Sequence, residues 1–276
     1  YASGDDAPDD WNFSQGGFRS DWLISTKNML TVQGDLYNSN AGQDITLATL
    51  APPYSSNFED QNETYGGNLL TRWVHTYSAT AETAASFYYD RTTFSEYIGK
   101  MRVDTFDLDF QHQFVISDRH EIVWGFGYRR IQDKLRSSFN VSWDPESDQM
   151  NIFSAFLQDD ISLIPNKWRL TLGSKFEHNS FTDYEIQPTA RILWTPNSNN
   201  SIWGSVSRAV RTPSRGDRDT TYVFAVIPPG QAGNTASLPM VVLSSGSDRF
   251  DSEELQAYEL GYRVAPTDTL SFDSTV

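Results

Sequence analysis

The 276-residue chain has no cysteine, which removes disulfides, thiolate catalysis and zinc-thiolate sites together. It has no apolar run near the roughly 20 residues of a spanning helix, so helical membrane classes are excluded. Basic residues are scarce: 21 Lys and Arg stand against 36 Asp and Glu, and the net charge of −15 argues against nucleic acid as a partner. Histidine is nearly absent. His75, His112, His120 and His178 lie in different segments without metal-like spacing, which points to interface positions rather than a metal site, and no resident cofactor is expected. No signal peptide is visible. The chain opens on an acidic stretch, Asp5, Asp6, Asp9 and Asp10, so a secreted precursor would have lost its start.

What is present is aromatic and alternating. Aromatics make up 14% of the residues, with Trp and Tyr recurring at fixed places in short segments, as a membrane-interface belt requires. The mean hydropathy of −0.51 would suggest a soluble acidic domain, but a membrane strand meets lipid only at every second residue, so an average cannot detect one. From Arg102 to Ile116 the residues Phe106, Leu108, Phe110, Phe114 and Ile116 share one face, and Thr105, Asp107, Asp109, Gln111 and Gln113 share the other. Similar alternation runs from Trp168 to Phe176 and from Tyr184 to Trp194. The first stretch, about 15 residues against a usual 5–6, favours a tilted membrane strand.

Connections fall into two kinds. Short turns sit at 25–28, 78–80, 117–120, 165–167, 196–200 and 266–268. Longer, irregular connections are expected near 38–63, 92–101, 138–150 and 213–250, with a short one near 181–184. Outer-membrane barrels place short turns in the periplasm and long loops outside, so the two kinds of connection assign the two sides. The fold class expected is all-β, an antiparallel transmembrane β-barrel segment of about twelve strands: 11–25, 28–38, 63–77, 80–92, 102–116, 120–137, 151–164, 168–180, 184–195, 201–212, 252–265 and 269–276. Such a sheet should stay open, with Phe106, Leu108, Phe110, Leu170, Leu172 and Ile192 facing lipid.

Two stretches go beyond alternation. Ser205 to Ser214 (SVSRAVRTPS) and Glu254 to Arg263 (ELQAYELGYR) resemble the late-barrel signature of TonB-dependent receptors through Arg208, Arg211, Pro213, Ser214, Tyr258, Glu259, Leu260 and Gly261. Supporting stretches are TFDLDFQH (105–112), WGFGYR (124–129), FLQDD (156–160), LGSKFEHN (172–179) and QPTARILW (187–194). The resemblance covers nearly the whole chain. It implies that residues 1–276 are part of a barrel of about 22 strands, without the N-terminal plug, TonB box or closing C-terminal strands. It also implies a bacterial outer-membrane location, lipid contact, and coupling to the TonB–ExbB–ExbD system through the missing plug. The implied activity is non-enzymatic import of a scarce small molecule, most often a ferric siderophore.

Lumen-lining positions follow from alternation: Arg72, Asp107, Asp109, Arg129, Lys175, Glu177, Arg191, Glu259 and Arg263 are expected to satisfy one another or a plug. Substrate selection is expected in loop 213–250, where Arg215, Arg218 and Arg249 combine with Tyr222, Phe224 and Phe250 to suit an anionic, partly aromatic ligand such as a ferric chelate. Asp217 and Asp219 are too few for a calcium site. The alternatives are a passive porin, a soluble β-rich binding protein, and an acyl hydrolase of the outer-membrane phospholipase kind using His178 and Ser180.

Overall fold

The computed structural model describes residues 8–267 and 269–276. Asp5, Asp6 and the turn residue Asp268 lie outside them. The elements are β1 (Trp11–Ser25), β2 (Asn28–Ala48), β3 (Ser55–Ser78), β4 (Ala81–Glu96), β5 (Gly99–Ser117), β6 (His120–Arg136), β7 (Val141–Trp143), β8 (Gln149–Ile164), β9 (Trp168–Asn179), β10 (Asp183–Asn197), β11 (Asn200–Arg211), α1 (Arg215–Asp219), β12 (Thr220–Ile227), β13 (Met240–Ser245), β14 (Glu253–Thr267) and β15 (Leu270–Thr275). Twelve strands form one sheet in the order β1-β2-β3-β4-β5-β6-β8-β9-β10-β11-β14-β15, and β13-β12-β7 form a small second sheet. Every ladder is antiparallel between neighbours. Among the described residues β1 and β15 are not paired to each other, so the large sheet is open, as expected.

Register carries one side-chain face from strand to strand. Phe87, Leu108, Tyr128 and Phe153 occupy successive strands in one row, and Leu172, Ala190, Val206 and Tyr258 form another. Phe106, Leu108, Leu172 and Ile192 are 40–52% exposed, which a sandwich core would not allow and a lipid-facing wall requires. The buried hydrophobic residues among those described are Ala48, Leu135, Val141 and Val226, all near the long-loop end. The remaining apolar surface therefore depends on lipid.

Aromatics bound this band at both margins. Trp168 stacks on Trp194 at 5.4 Å and Tyr77 meets His75 at 4.3 Å near the short turns, while Tyr89–Phe106 and Tyr128–Phe153, both at 4.7 Å, mark the other margin. His75, His112 and His120 lie at the short-turn margin and His178 at the opposite one. Their nearest partners are Asn28, Thr83, Asp159 and Tyr184.

The long connections require correction. The stretch at 38–63 is mostly ladder: β2 and β3 pair without a shift from Asn28↔His75 to Ala48↔Ser55, leaving only residues 49–54 outside strands. Likewise β4 and β5 run to Glu96↔Gly99. The stretch at 138–150 contains β7, and 213–250 contains α1, β12 and β13. Beyond the lipid both faces of a strand are wet, so apolar alternation disappears while the backbone ladder continues.

One ladder stops early. β10 pairs with β9 up to Asp183, but with β11 only from Thr189↔Ser207 onward. Pro188, the next residue outward, has no N–H to donate. Above it the Arg208 guanidinium donates to the Ile186 carbonyl and forms an ion pair with Glu254 at 2.7 Å.

Candidate functional site

The connection between β11 and β14 starts on a capped turn. The Ser214 hydroxyl accepts from the Asp217 N–H at 3.2 Å and the Asp217 carboxylate accepts from the Ser214 N–H at 2.8 Å, a capping box that starts α1 just after Pro213. Hydrogen bonds from the Ser214 backbone and side chain hold the Asp217 carboxyl below its ordinary value. Arg211 Nε donates to Glu253 at 3.0 Å and lowers that carboxyl too. The hydrogen bond from Arg208 does the same for Glu254.

Next in the chain, Arg215 turns inward. Its Nε donates to Asp133 of β6 at 2.9 Å, a second nitrogen reaches Asp219, and Asp148 lies at 3.6 Å. Its side chain is only 14% exposed. Arg218 lies over the Phe181 ring at 4.6 Å and donates to the Phe181 carbonyl at 3.1 Å. The Asn140 amide, in the chain leading to β7, reaches the Ala48 carbonyl at the end of β2 at 3.0 Å. These contacts draw β7, β12 and β13 across from β11 to β6 and β2.

Six residues of this connection stand as candidates for ligand contact, and the structure divides them. Arg215 and Arg218 are consumed by the scaffold. Tyr222 and Phe224, with rings 6.5 Å apart, are exposed, and so are Arg249 and Phe250. Asp217 and Asp219 turn to Ser214 and Arg215. Asp133, Glu185 and Asn179 were not anticipated, although all three are buried polar groups at the foot of this assembly. Asn179 accepts from the Phe181 and Thr182 N–H groups at 2.9 Å, and Ser252 donates to Glu185. Asp133 and Glu185 left a signal in the sequence, each a carboxylate on the inward parity of a strand; Asn179 left none.

The inward face of the large sheet is polar and paired. Arg129 Nε donates to Asp107 at 2.6 Å, Lys175 to Glu177 at 2.7 Å, Ser205 to Glu259 at 3.0 Å, and Arg263 Nε to Asp273 at 2.8 Å. Arg191 lies over the Trp203 ring at 4.5 Å. Gly261 is paired with Trp203, and a Cβ there would collide with the indole, so only glycine lets that ring lie against the wall. Asp109 and Arg72 share this face. Between these groups a groove of about 770 Å³ is lined by Asp160, Arg169, Arg191, Glu259, Arg263 and Asp273. Tyr258 and Leu260 face the other way, exposed on the lipid side.

No Ser–His pair forms at His178. The Ser180 hydroxyl accepts from the Asn151 N–H at 3.1 Å and returns a hydrogen bond to its carbonyl.

An open antiparallel wall, with a lipid-exposed apolar face, a charged inner face and a folded connection at one end, defines an outer-membrane barrel wall. The profile described as "TonB dependent receptor-like, beta-barrel" matches residues 1–276, and the chain belongs to that family. Among curated proteins none matches the sequence. Similar solved structures include the ferric enterobactin receptor of Pseudomonas aeruginosa, as its G324V mutant, at TM-score 0.75 and 15% identity, covering 96% of this chain and 42% of that one. The siderophore receptor PirA of Acinetobacter baumannii gives 0.72 and 13%, covering 99% and 44%. The alcaligin outer-membrane receptor FauA of Bordetella pertussis gives 0.63 and 11%, covering 96% and 42%. The chain thus spans less than half the length of these three structures.

Proposed function

We propose that this chain is part of the wall and ligand-recognition apparatus of a bacterial outer-membrane importer for a scarce anionic small molecule, a ferric siderophore. The observation that carries this reading is the folded connection between β11 and β14. It commits Arg215 and Arg218 to holding a small sheet in place and leaves Tyr222, Phe224 and Arg249 exposed. An anionic, partly aromatic ligand such as a ferric chelate is suited to two exposed rings and one exposed guanidinium. Family membership and the siderophore receptors among the structural neighbours support the substrate class, and energy from TonB would reach the barrel through a plug domain. The paired inner face, including Asp107–Arg129 and Lys175–Glu177, is suited to line the passage or meet that plug.

The test is binding and energised uptake of ferric siderophores by the full-length receptor carrying Tyr222→Ala, Phe224→Ala and Arg249→Ala together. Affinity should fall about a hundredfold, as expected for loss of three contacts worth roughly 1 kcal/mol each, while heat-modifiable gel mobility stays normal. Unchanged uptake by a correctly inserted variant would remove this connection from recognition.

A further inference from the structure

In a chain of net charge −15, cations should be scattered, yet six of its 21 Lys and Arg gather on one outward patch. Register sets their positions. At the outer aromatic margin Tyr89, Phe106 and Arg130 lie in one row across β4, β5 and β6. Two residues further out the row is Arg91, Asp104 and Gln132. It is followed by Thr93, Arg102 and Lys134, then by Ser95, Lys100 and Arg136. These ladders have no shift in this region, so all of these residues share the face of Phe106 and Leu108, the lipid side. Alternating burial agrees: Asp133 and Leu135 are buried while Lys134 and Arg136 are exposed.

The carboxylates nearby are few. Asp104 takes Arg91 at 2.6 Å and Arg102 at 3.2 Å. Glu63 borders the patch opposite Ser95, and Glu146 lies close enough to Arg136 to feel its charge. Among the described residues Lys100, Arg130 and Lys134 make no ion pair. The same face on β2 and β3 carries Asp44, Glu59 and Glu63 instead, so the positive patch ends at β4, and Arg208 of β11, which shares this face, is paired with Glu254.

From Phe106 to Lys100 the patch rises roughly 14 Å for a strand tilted about 45°, against a headgroup layer of about 5–7 Å. It starts level with the aromatic margin, where the first phosphates of a leaflet lie, and continues beyond. That height suits a lipid with phosphate at its base and further anionic groups above, and its charge suits nothing neutral. We propose that the outward face of β4–β6 binds the phosphorylated headgroup of an outer-leaflet glycolipid, with Arg130, Lys134 and Arg136 as its main contacts. This rests on the barrel's membrane placement and is independent of the cargo.

The test reconstitutes the full-length receptor in phosphatidylcholine nanodiscs doped with diphosphorylated lipid A or with its dephosphorylated form, and counts bound lipid by native mass spectrometry. Wild type should retain the phosphorylated form at least tenfold over the other. Arg130→Gln/Lys134→Gln/Arg136→Gln should cut retention by about fivefold per charge removed while heat-modifiable gel mobility is unchanged. Equal retention of both forms, or full retention by the triple variant, would overturn the proposal. Equal binding of inositol hexakisphosphate without a bilayer would also overturn it, by making the site one for soluble polyanions. Should the variant fail to insert, wild type titrated with sodium chloride decides: the preference must collapse with salt, and its persistence would count against a charge-based site.

Discussion

The hairpin of β2 and β3 and the connection between β11 and β14 both project beyond the lipid, and they are ordered by different means. β2 and β3 are 21 and 24 residues long, about twice what a tilted strand needs to cross, and an unbroken ladder orders the excess one rung at a time. The other connection has no ladder to the large sheet. Its order comes from a few buried or half-buried side chains, chiefly Arg215 against Asp133 and Asp219, with Arg218 on Phe181. Distributed backbone order tolerates a single change, whereas order concentrated in one guanidinium does not.

The largest effect should follow from Arg215→Ala. It leaves Asp133 buried without its partner, at a cost of about 3–5 kcal/mol. Hydrogen exchange across residues 220–245 should accelerate more than a hundredfold while membrane insertion persists. Unchanged exchange there would mean that the small sheet holds itself.

A smaller effect should come from acid. Asp217, Glu253 and Glu254 have carboxyls held below their ordinary values of 3.8 and 4.5, so their stabilisation is complete above about pH 4.5 and declines as pH falls through the lowered values. Glu253 and Glu254 are exposed and Asp217 half-exposed, so the gain is modest. Protection of the amides at 214–220, taken relative to their intrinsic exchange rates, should fall between pH 5 and roughly 3, with those of β2 and β3 as the reference. A parallel loss of protection in the hairpin would erase the distinction between the two regions.

The smallest effect should come from trimming the hairpin. Deleting Asp44 and Ile45 with their partners Glu59 and Phe58 removes two whole rungs and keeps every side chain on its face. Exchange elsewhere and heat-modifiable mobility should not change. A loss of mobility shift would show that the projecting rungs support the wall.

The same contrast explains what could be read from the residues alone. Where lipid faces a strand, as in Phe106-Asp107-Leu108-Asp109-Phe110, the period of two is written in polarity, and ten of the twelve wall strands are legible to within a few residues, β2 and β3 being read 10 and 8 residues too short at their outer ends, at 38 against Ala48 and at 63 against Ser55. In Asn38-Ser39-Asn40-Ala41-Gly42-Gln43-Asp44 both faces meet water, so a perfectly regular strand reads as a loop. β12, with the sequence TTYVFAVI, carries strand-forming residues, but only its pairing to β7 and β13 reveals the second sheet. Side-chain partners are less legible still. Alternation puts Asp107 and Arg129 on one face, but only register puts them opposite each other. Arg215 and Asp133 are 82 residues apart in the chain, so nothing local joins them. The arginine that looks most available for a ligand is therefore the one least free to bind it.

Pro188 gives the wall an expansion joint. Below it β10 and β11 are riveted by backbone hydrogen bonds through the lipid zone; above it Arg208 of β11 ties them through the Ile186 carbonyl and Glu185 of β10, and its other partner, Glu254, lies on β14. Ionic ties can lengthen and re-form in water at little cost, whereas ladder bonds broken in lipid cannot be replaced. A shift of the connection that follows β11 would be absorbed at this joint, leaving the ladder in the hydrocarbon zone intact.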